Sequence, residues 1–172
     1  MTLVVDWNQY HTLVERLGLK VHESRFDFDQ IICIARGGLR VGDILSRIFD
    51  LPLAILSTHS YAAGGGTVRG ELVIAEHMTM TAPRLGERVL LVDDMVDSGH
   101  TLEVVYRTLP QRFPRIRAIK TAVLWWKACS VFKPDFYVEH LLDNPWIQQP
   151  FEMYDVLRPD ELRGHLQSKA TP

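Results

Sequence analysis

Apolar and polar positions along the chain follow two different periods. Trp7, Tyr10, Leu13, Val14 and Leu17 recur at helical spacing, with Asp6 ahead of them and Gly18 behind. That spacing predicts an amphipathic helix capped by Asp6 and ended by Gly18. Ile31–Ala35 is instead an unbroken apolar run rich in branched residues, which reads as a strand buried on both faces, and it stops at the glycine pair of "RGGL". Helical spacing returns at Val41, Ile44, Leu45, Ile48 and Phe49, within residues 39–50, and Pro52 then opens a second strand, "LPLAIL". "ELVIAEH" (71–77) and "RVLLV" (88–92) read as further strands, residues 101–109 as a helix ended by Pro110 and Pro114, and "IRAIKTAVLWW" (116–126) as a strand.

Strands alternating with helices define an α/β fold, a mostly parallel twisted sheet with helices on both faces, in which ligands bind beyond the carboxyl ends of the strands. We expect one domain over residues 1–172. Residues 57–70 lack periodicity and carry Gly64, Gly65 and Gly66 near their tip, so we read them as a flexible cover over a site. The proline- and aromatic-rich "DNPWIQQPFEMYDVLRPDEL" near the end is expected to form a hood over the sheet edge.

Composition narrows the function classes. The 172 residues, 47% hydrophobic and 23% charged, suffice for a sizeable core. The net charge of -2 and the dispersed Lys and Arg residues weigh against nucleic-acid binding. No apolar run approaches the ~18 residues of a membrane span, and the first residues lack a basic leader, so we expect a cytoplasmic protein. Cys33 and Cys129 each stand in an apolar stretch and read as reduced core thiols. His11, His22 and His165 read as surface residues.

The chemistry concentrates in "VLLVDDMVDSGHT" (Val89 to Thr101). Asp93, Asp94 and Asp97 repel one another at the end of a buried strand, so a cation or hydrogen-bond donors must offset their charge. Directly after them, "DSGHT" supplies backbone N–H groups, Gly99 and the Ser98 and Thr101 hydroxyls at a helix start, which is a cradle for phosphate. A ligand with vicinal hydroxyls for the carboxylates and a phosphate nearby, a ribose 5-phosphate, satisfies both.

This stretch resembles the signature of the type I phosphoribosyltransferases, which use 5-phosphoribosyl-1-pyrophosphate (PRPP) with magnesium. The resemblance implies that Asp93 and Asp94 hold the ribose hydroxyls, that Asp94 helps place Mg2+, and that Asp97, Ser98, Gly99, His100 and Thr101 bind the 5-phosphate. "IARGGL" resembles the pyrophosphate loop, with Arg36 and Gly37 in it and a cis peptide at Ala35–Arg36. "HSYAAGGGTVRGEL" resembles the mobile catalytic loop, with Ser60 and Tyr61 as its Ser-Tyr pair and Arg69 as a pyrophosphate contact.

Lys127, at the end of "AVLWWK", can donate to an exocyclic carbonyl, and Trp146 beside Ile147 offers a rigid aromatic face between two prolines. Together they resemble the 6-oxopurine branch of the family, especially its small bacterial and archaeal members. The branch implies that Lys127 reads the 6-oxo group, Trp146 stacks on the purine and Ile147 reads the 2-position with its backbone, all within a base-binding hood segment of about residues 127–155. Asp97 would exchange a proton with purine N7. Two departures are Ala128, where relatives carry proline, and Glu152, where an aspartate that joins the second magnesium shell is common. The implied activity is transfer of phosphoribose from PRPP to N9 of hypoxanthine, guanine or xanthine, in a homodimer or homotetramer. A phosphoribosyltransferase for adenine, uracil or orotate, and a PRPP-sensing regulator that binds nucleic acid, are the alternatives.

Overall fold

The computed structural model describes residues 2–60 and 72–170. In chain order its elements are β1 (Thr2–Val4), α1 (Trp7–Glu23), β2 (Gln30–Ala35), α2 (Gly38–Phe49), β3 (Leu53–Ser60), β4 (Leu72–Ile74), β5 (Thr79–Met80), β6 (Arg88–Val92), β7 (Met95–Val96), α3 (His100–Arg112), β8 (Ala118–Lys127), β9 (Phe136–Leu141), β10 (Trp146–Gln148), α4 (Met153–Val156) and α5 (Leu162–Ala170). Two compact units result. One is Thr12–Asn144 and the other combines Met1–His11 with Pro145–Pro172.

In the larger unit β3, β2, β6 and β8 run side by side and parallel, with β9 parallel on the far side of β8 and β4 and β5 antiparallel on β3. Val92 pairs with Ala122 and Met95 with Trp125, the same offset, so β6 and β7 are one strand interrupted at Asp93 and Asp94. The backbone stays in the ladder there: Asp93 N–H donates to Ala122 O at 3.2 Å and Leu124 N–H donates to Asp94 O at 2.9 Å.

Both sheet faces are covered, which is why the central strands are apolar throughout. Ile32, Ile34, Val89 and Leu91 pack with Leu102, Val105 and Leu109 of α3. Cys33 points the other way, against Gly42 of α2. Fully buried side chains such as Leu91 and Leu124 each contribute roughly 1.5–3 kcal/mol by leaving water.

Several elements differ from the sequence expectations. Helix α1 continues through Gly18 to Glu23, because its buried stripe continues at Val21 and tertiary packing overrides the glycine penalty. Helix α3 continues past Pro110 to Arg112. Pro110 is on the exposed side of the last turn, where the lost hydrogen bond leaves a carbonyl open to water. Of the strand expected over 71–77, with residue 71 outside the described residues, Leu72–Ile74 forms and 75–77 do not continue it. Strand β3 runs on to Ser60, so residues 57–60 of the expected cover are strand. Strands β1, β5, β9 and β10 have no counterpart in the sequence expectations.

In the smaller unit β1 and β10 pair in parallel, Thr2 opposite Trp146 and Val4 opposite Gln148. Gln9 N–H donates to Asp6 Oδ1 at 2.8 Å and Asp6 N–H donates to Gln9 Oε1 at 2.9 Å, a reciprocal cap that confirms Asp6 as the start of α1. The Tyr10 and Phe151 rings meet edge to face at 5.7 Å.

Candidate active site

Parallel pairing brings the carboxyl ends of β2, β3 and β6 to one edge of the sheet, with Cys33 opposite Val92 and Ala35 opposite Ser57. A cleft of about 280 Å³ opens there. Its polar wall is Gly37, Thr58, Asp93, Asp94, Asp97, Ser98, Gly99 and Thr101, over Ile34, Val96 and Leu102. Thr58 was missed in the sequence, where it falls in the stretch 57–70 read as a cover, whereas the structure puts it in β3.

The two adjacent carboxylates are fixed by their own backbone. Asp94 N–H donates to Asp93 Oδ1 at 2.9 Å, and Met95 N–H donates to Asp94 Oδ1 at 2.7 Å. Asp93 is half-buried at the cleft; loss of water around its carboxyl, and then the neighbouring charge of Asp94, push that carboxyl well above the ordinary carboxylate range, although N–H bonds from Asp94 and Gly38 pull the other way. The glycine pair after β2 is what lets the loop approach: a Cβ on Gly37 would lie 2.6 Å from Asp94 Oδ1, and one on Gly38 2.6 Å from Val92 O. Gly38 is thus a site residue that the sequence reading did not name; the doubled glycine was its signal. Arg36 is exposed, and the Ala35–Arg36 peptide is cis.

Among the described residues no three His, Cys, Asp or Glu side chains gather closely enough to hold a metal by themselves. Hard oxygen donors in a pair fit magnesium, which is usually bound through one or two carboxylates together with substrate phosphates. Asp94 is placed in the cleft to be such a donor.

The loop after β7 leads into α3. Gly99 has φ 84°, a left-handed conformation that side chains resist, and among the described residues no side chain caps the first turn of α3. The first N–H groups of that helix are therefore open to an anion, with Ser98 and Thr101 on the cleft wall and His100 exposed.

At the end of β8 Lys127 is buried, its side chain 7% exposed, and its Nζ lies 3.4 Å from Oδ1 of Asp97, which is 65% exposed. Cys129 is not a core thiol as expected: it is exposed, and its Sγ lies 3.6 Å from both Oδ1 and the carbonyl O of Asp97. The apolar residues around it form a surface turn, with Val131 77% exposed, instead of entering the core. Cys33 is buried as expected, and burial pushes its thiol up to about 12.

The other expected site residues lie elsewhere. Ser60 ends β3, whereas Tyr61 and Arg69 lie outside the described residues. Trp146, Ile147 and Glu152 belong to the smaller unit. There Trp146 is exposed and Ile147 is buried, so the tryptophan is not a core residue of that unit.

With this geometry in view, the relatives of the chain are informative. Residues 6–155 match the phosphoribosyl transferase domain, and the chain belongs to that family. It is 31% identical over 167 residues to a xanthine-guanine phosphoribosyltransferase of Gluconobacter oxydans, covering 93% of this chain and 90% of that protein. Among solved structures it is similar to a purine phosphoribosyltransferase from Pyrococcus horikoshii, with 30% identity, a TM-score of 0.73, and 91% of this chain and 98% of that one covered. The xanthine-guanine-hypoxanthine phosphoribosyltransferase of Helicobacter pylori shares the fold, with a TM-score of 0.75 at 23% identity over 96% of this chain and 100% of that one.

Proposed function

We propose that this phosphoribosyltransferase transfers the 5-phosphoribosyl group of PRPP to N9 of a 6-oxopurine, giving the nucleoside monophosphate and pyrophosphate in purine salvage. One observation carries it: a cleft at the sheet's carboxyl edge in which paired carboxylates stand beside an uncapped helix start. The names of the relatives support a purine as acceptor.

In this reading the first turn of α3, with Ser98, Gly99, His100 and Thr101, binds the 5-phosphate, and Asp93 and Asp94 accept from the ribose hydroxyls. The pyrophosphate contacts are Arg36, Gly37, Ser60, Tyr61 and Arg69. Asp94, with Glu152, would hold Mg2+, which supplies charge neutralisation to the departing pyrophosphate. The bond from ribose C1 to pyrophosphate breaks with the electron pair leaving on oxygen, and N9 forms the new bond to C1. Asp97 takes the proton that the purine gives up at N7. Lys127 donates to the 6-oxo group, Trp146 stacks on the base and the backbone of Ile147 meets the 2-position. An adenine enzyme would need an acceptor opposite the 6-amino group, which an ammonium is not.

The protein acts in the cytoplasm as a homodimer or homotetramer in this account. Exposed Leu19 and Ile48 support self-association, and no helix among the described residues is long and apolar enough to cross a membrane.

Calorimetric titration with PRPP in magnesium tests the substrate assignment. We expect binding that Asp94→Asn weakens at least about tenfold, the size of a lost charge-assisted bond. Equal affinity in the two proteins would remove the carboxylate pair from the account.

A further inference from the structure

Lys127 is followed by a turn that touches each of three successive residues in the loop after β7. Cys129 Sγ lies 3.6 Å from Asp97 Oδ1, Val131 N–H donates to Ser98 O at 3.0 Å, and Ser130 Oγ and the Phe132 backbone lie where a Gly99 side chain would have to go. The turn is itself anchored on its other side. Ala128 N–H donates to Leu141 O at 2.9 Å, and Cys129 N–H donates to Asn144 Oδ1 at 2.9 Å. Ser130 closes it internally, accepting from Phe132 N–H at 3.1 Å and donating to Phe132 O at 2.7 Å. The Phe132 ring meets Tyr106 of α3 with centroids 5.6 Å apart.

We propose that Cys129 and Ser130 are positioning residues, Cys129 acting through Asp97 and Ser130 through Gly99, so that one turn aligns the proton acceptor and the phosphate loop together. The inference rests on the functional reading above. Asp97 is mostly exposed, and an exposed carboxylate samples several rotamers unless something holds it. Lys127 supplies a charge to one of its oxygens and the Cys129 thiol a weak donor to the same oxygen, which favours one rotamer. Proton exchange with a bound base requires that rotamer, because the acceptor must lie within hydrogen-bond reach. Gly99, in turn, directs the first N–H groups of α3, and its left-handed backbone is packed against Ser130. Base-side and phosphate-side geometry are thereby joined through five residues, Ala128 to Phe132.

The test is a split between kinetic parameters, which a loss of folded protein does not produce. In steady-state assays with hypoxanthine, guanine or xanthine and PRPP in magnesium, Cys129→Ala lowers kcat about tenfold and leaves the KM for PRPP within about twofold. Cys129→Ser restores most of kcat, since a hydroxyl donates where the thiol did. Ser130→Ala raises both the KM and the calorimetric Kd for PRPP about tenfold, with a smaller change in the KM for the base. Wild-type parameters in Cys129→Ala and Ser130→Ala, or equal losses in kcat and PRPP affinity that track a lowered Tm, overturn the proposal. A wild-type protein that forms no nucleotide from these bases overturns the functional reading instead. The PRPP titration then still decides for the turn, and an unchanged Kd in Ser130→Ala rejects it.

Discussion

Lys127 Nζ and Asp97 Oδ1 lie 3.4 Å apart, joining the end of β8 to the loop that follows β7. A buried ammonium needs a counter-charge, and the exposed carboxylate provides it without being buried itself. Asp97→Asn removes that charge and, in the proposed mechanism, the proton acceptor. We predict a kcat at least about a hundredfold lower with the KM for PRPP little changed, the pattern of an interaction made in the transition state. A rise in KM at constant kcat would make Asp97 a binding residue only.

The two glycines after β2 make separable predictions. In Gly37→Ala the new methyl meets the Asp94 carboxylate, which can move only by giving up its bond from Met95 N–H, worth about 1 kcal/mol, so Tm falls less than in Gly38→Ala while PRPP affinity falls about tenfold or more. In Gly38→Ala it meets the Val92 carbonyl and the Asp93 backbone, which cannot yield, so stability falls by about 1–3 kcal/mol as for overpacking. Thermal melts alongside PRPP titrations check both, and equal Tm values for the two variants would contradict this distinction.

Asp93 links stability to pH. Its folded-state value lies above its unfolded one, so between the two the folded protein holds the proton more tightly. That contribution is full below the ordinary carboxylate range and is lost as pH rises toward the raised value. Asp93→Asn, which cannot ionise, is therefore more stable than wild type at neutral pH, by about 2–4 °C in Tm for each 1 kcal/mol released. Its advantage shrinks toward pH 4, and its PRPP affinity is lower throughout. A Tm difference independent of pH would contradict the assignment.

The two cysteines should react differently. At pH 8 a thiol held near 12 is about one part in ten thousand thiolate, and it is also buried, whereas Cys129 is exposed. Iodoacetamide followed by mass spectrometry is expected to label Cys129 in the native protein and Cys33 only after denaturation. Equal labelling rates would place Cys33 outside the core.

Much of this was legible because it is contiguous. The strand, carboxylates, hydroxyls and helix start all lie between Val89 and Thr101, and the doubly covered sheet turns buried strands into uninterrupted apolar runs. Features that depend on distant pairing were not legible. Strands of three residues such as β1 and β10 show no period, and nothing near Thr2 announces Trp146 as its partner. Cys129 misled for a related reason: apolar neighbours suggested a core, yet the chain has already left the sheet at Lys127 and turns along the surface. Thr58 enters the cleft only through the register of β3 on β2, which no local pattern encodes.

The most direct test is nucleotide formation from PRPP and magnesium, read by mass spectrometry, with hypoxanthine, guanine, xanthine, adenine, uracil and orotate in parallel and Lys127→Ala beside the wild type. The account predicts nucleoside monophosphate from one or more of the three 6-oxopurines and a loss of about tenfold or more in the variant, the size of a charged hydrogen bond. Product from adenine, uracil or orotate alone, or 6-oxopurine turnover indifferent to Lys127, would contradict it.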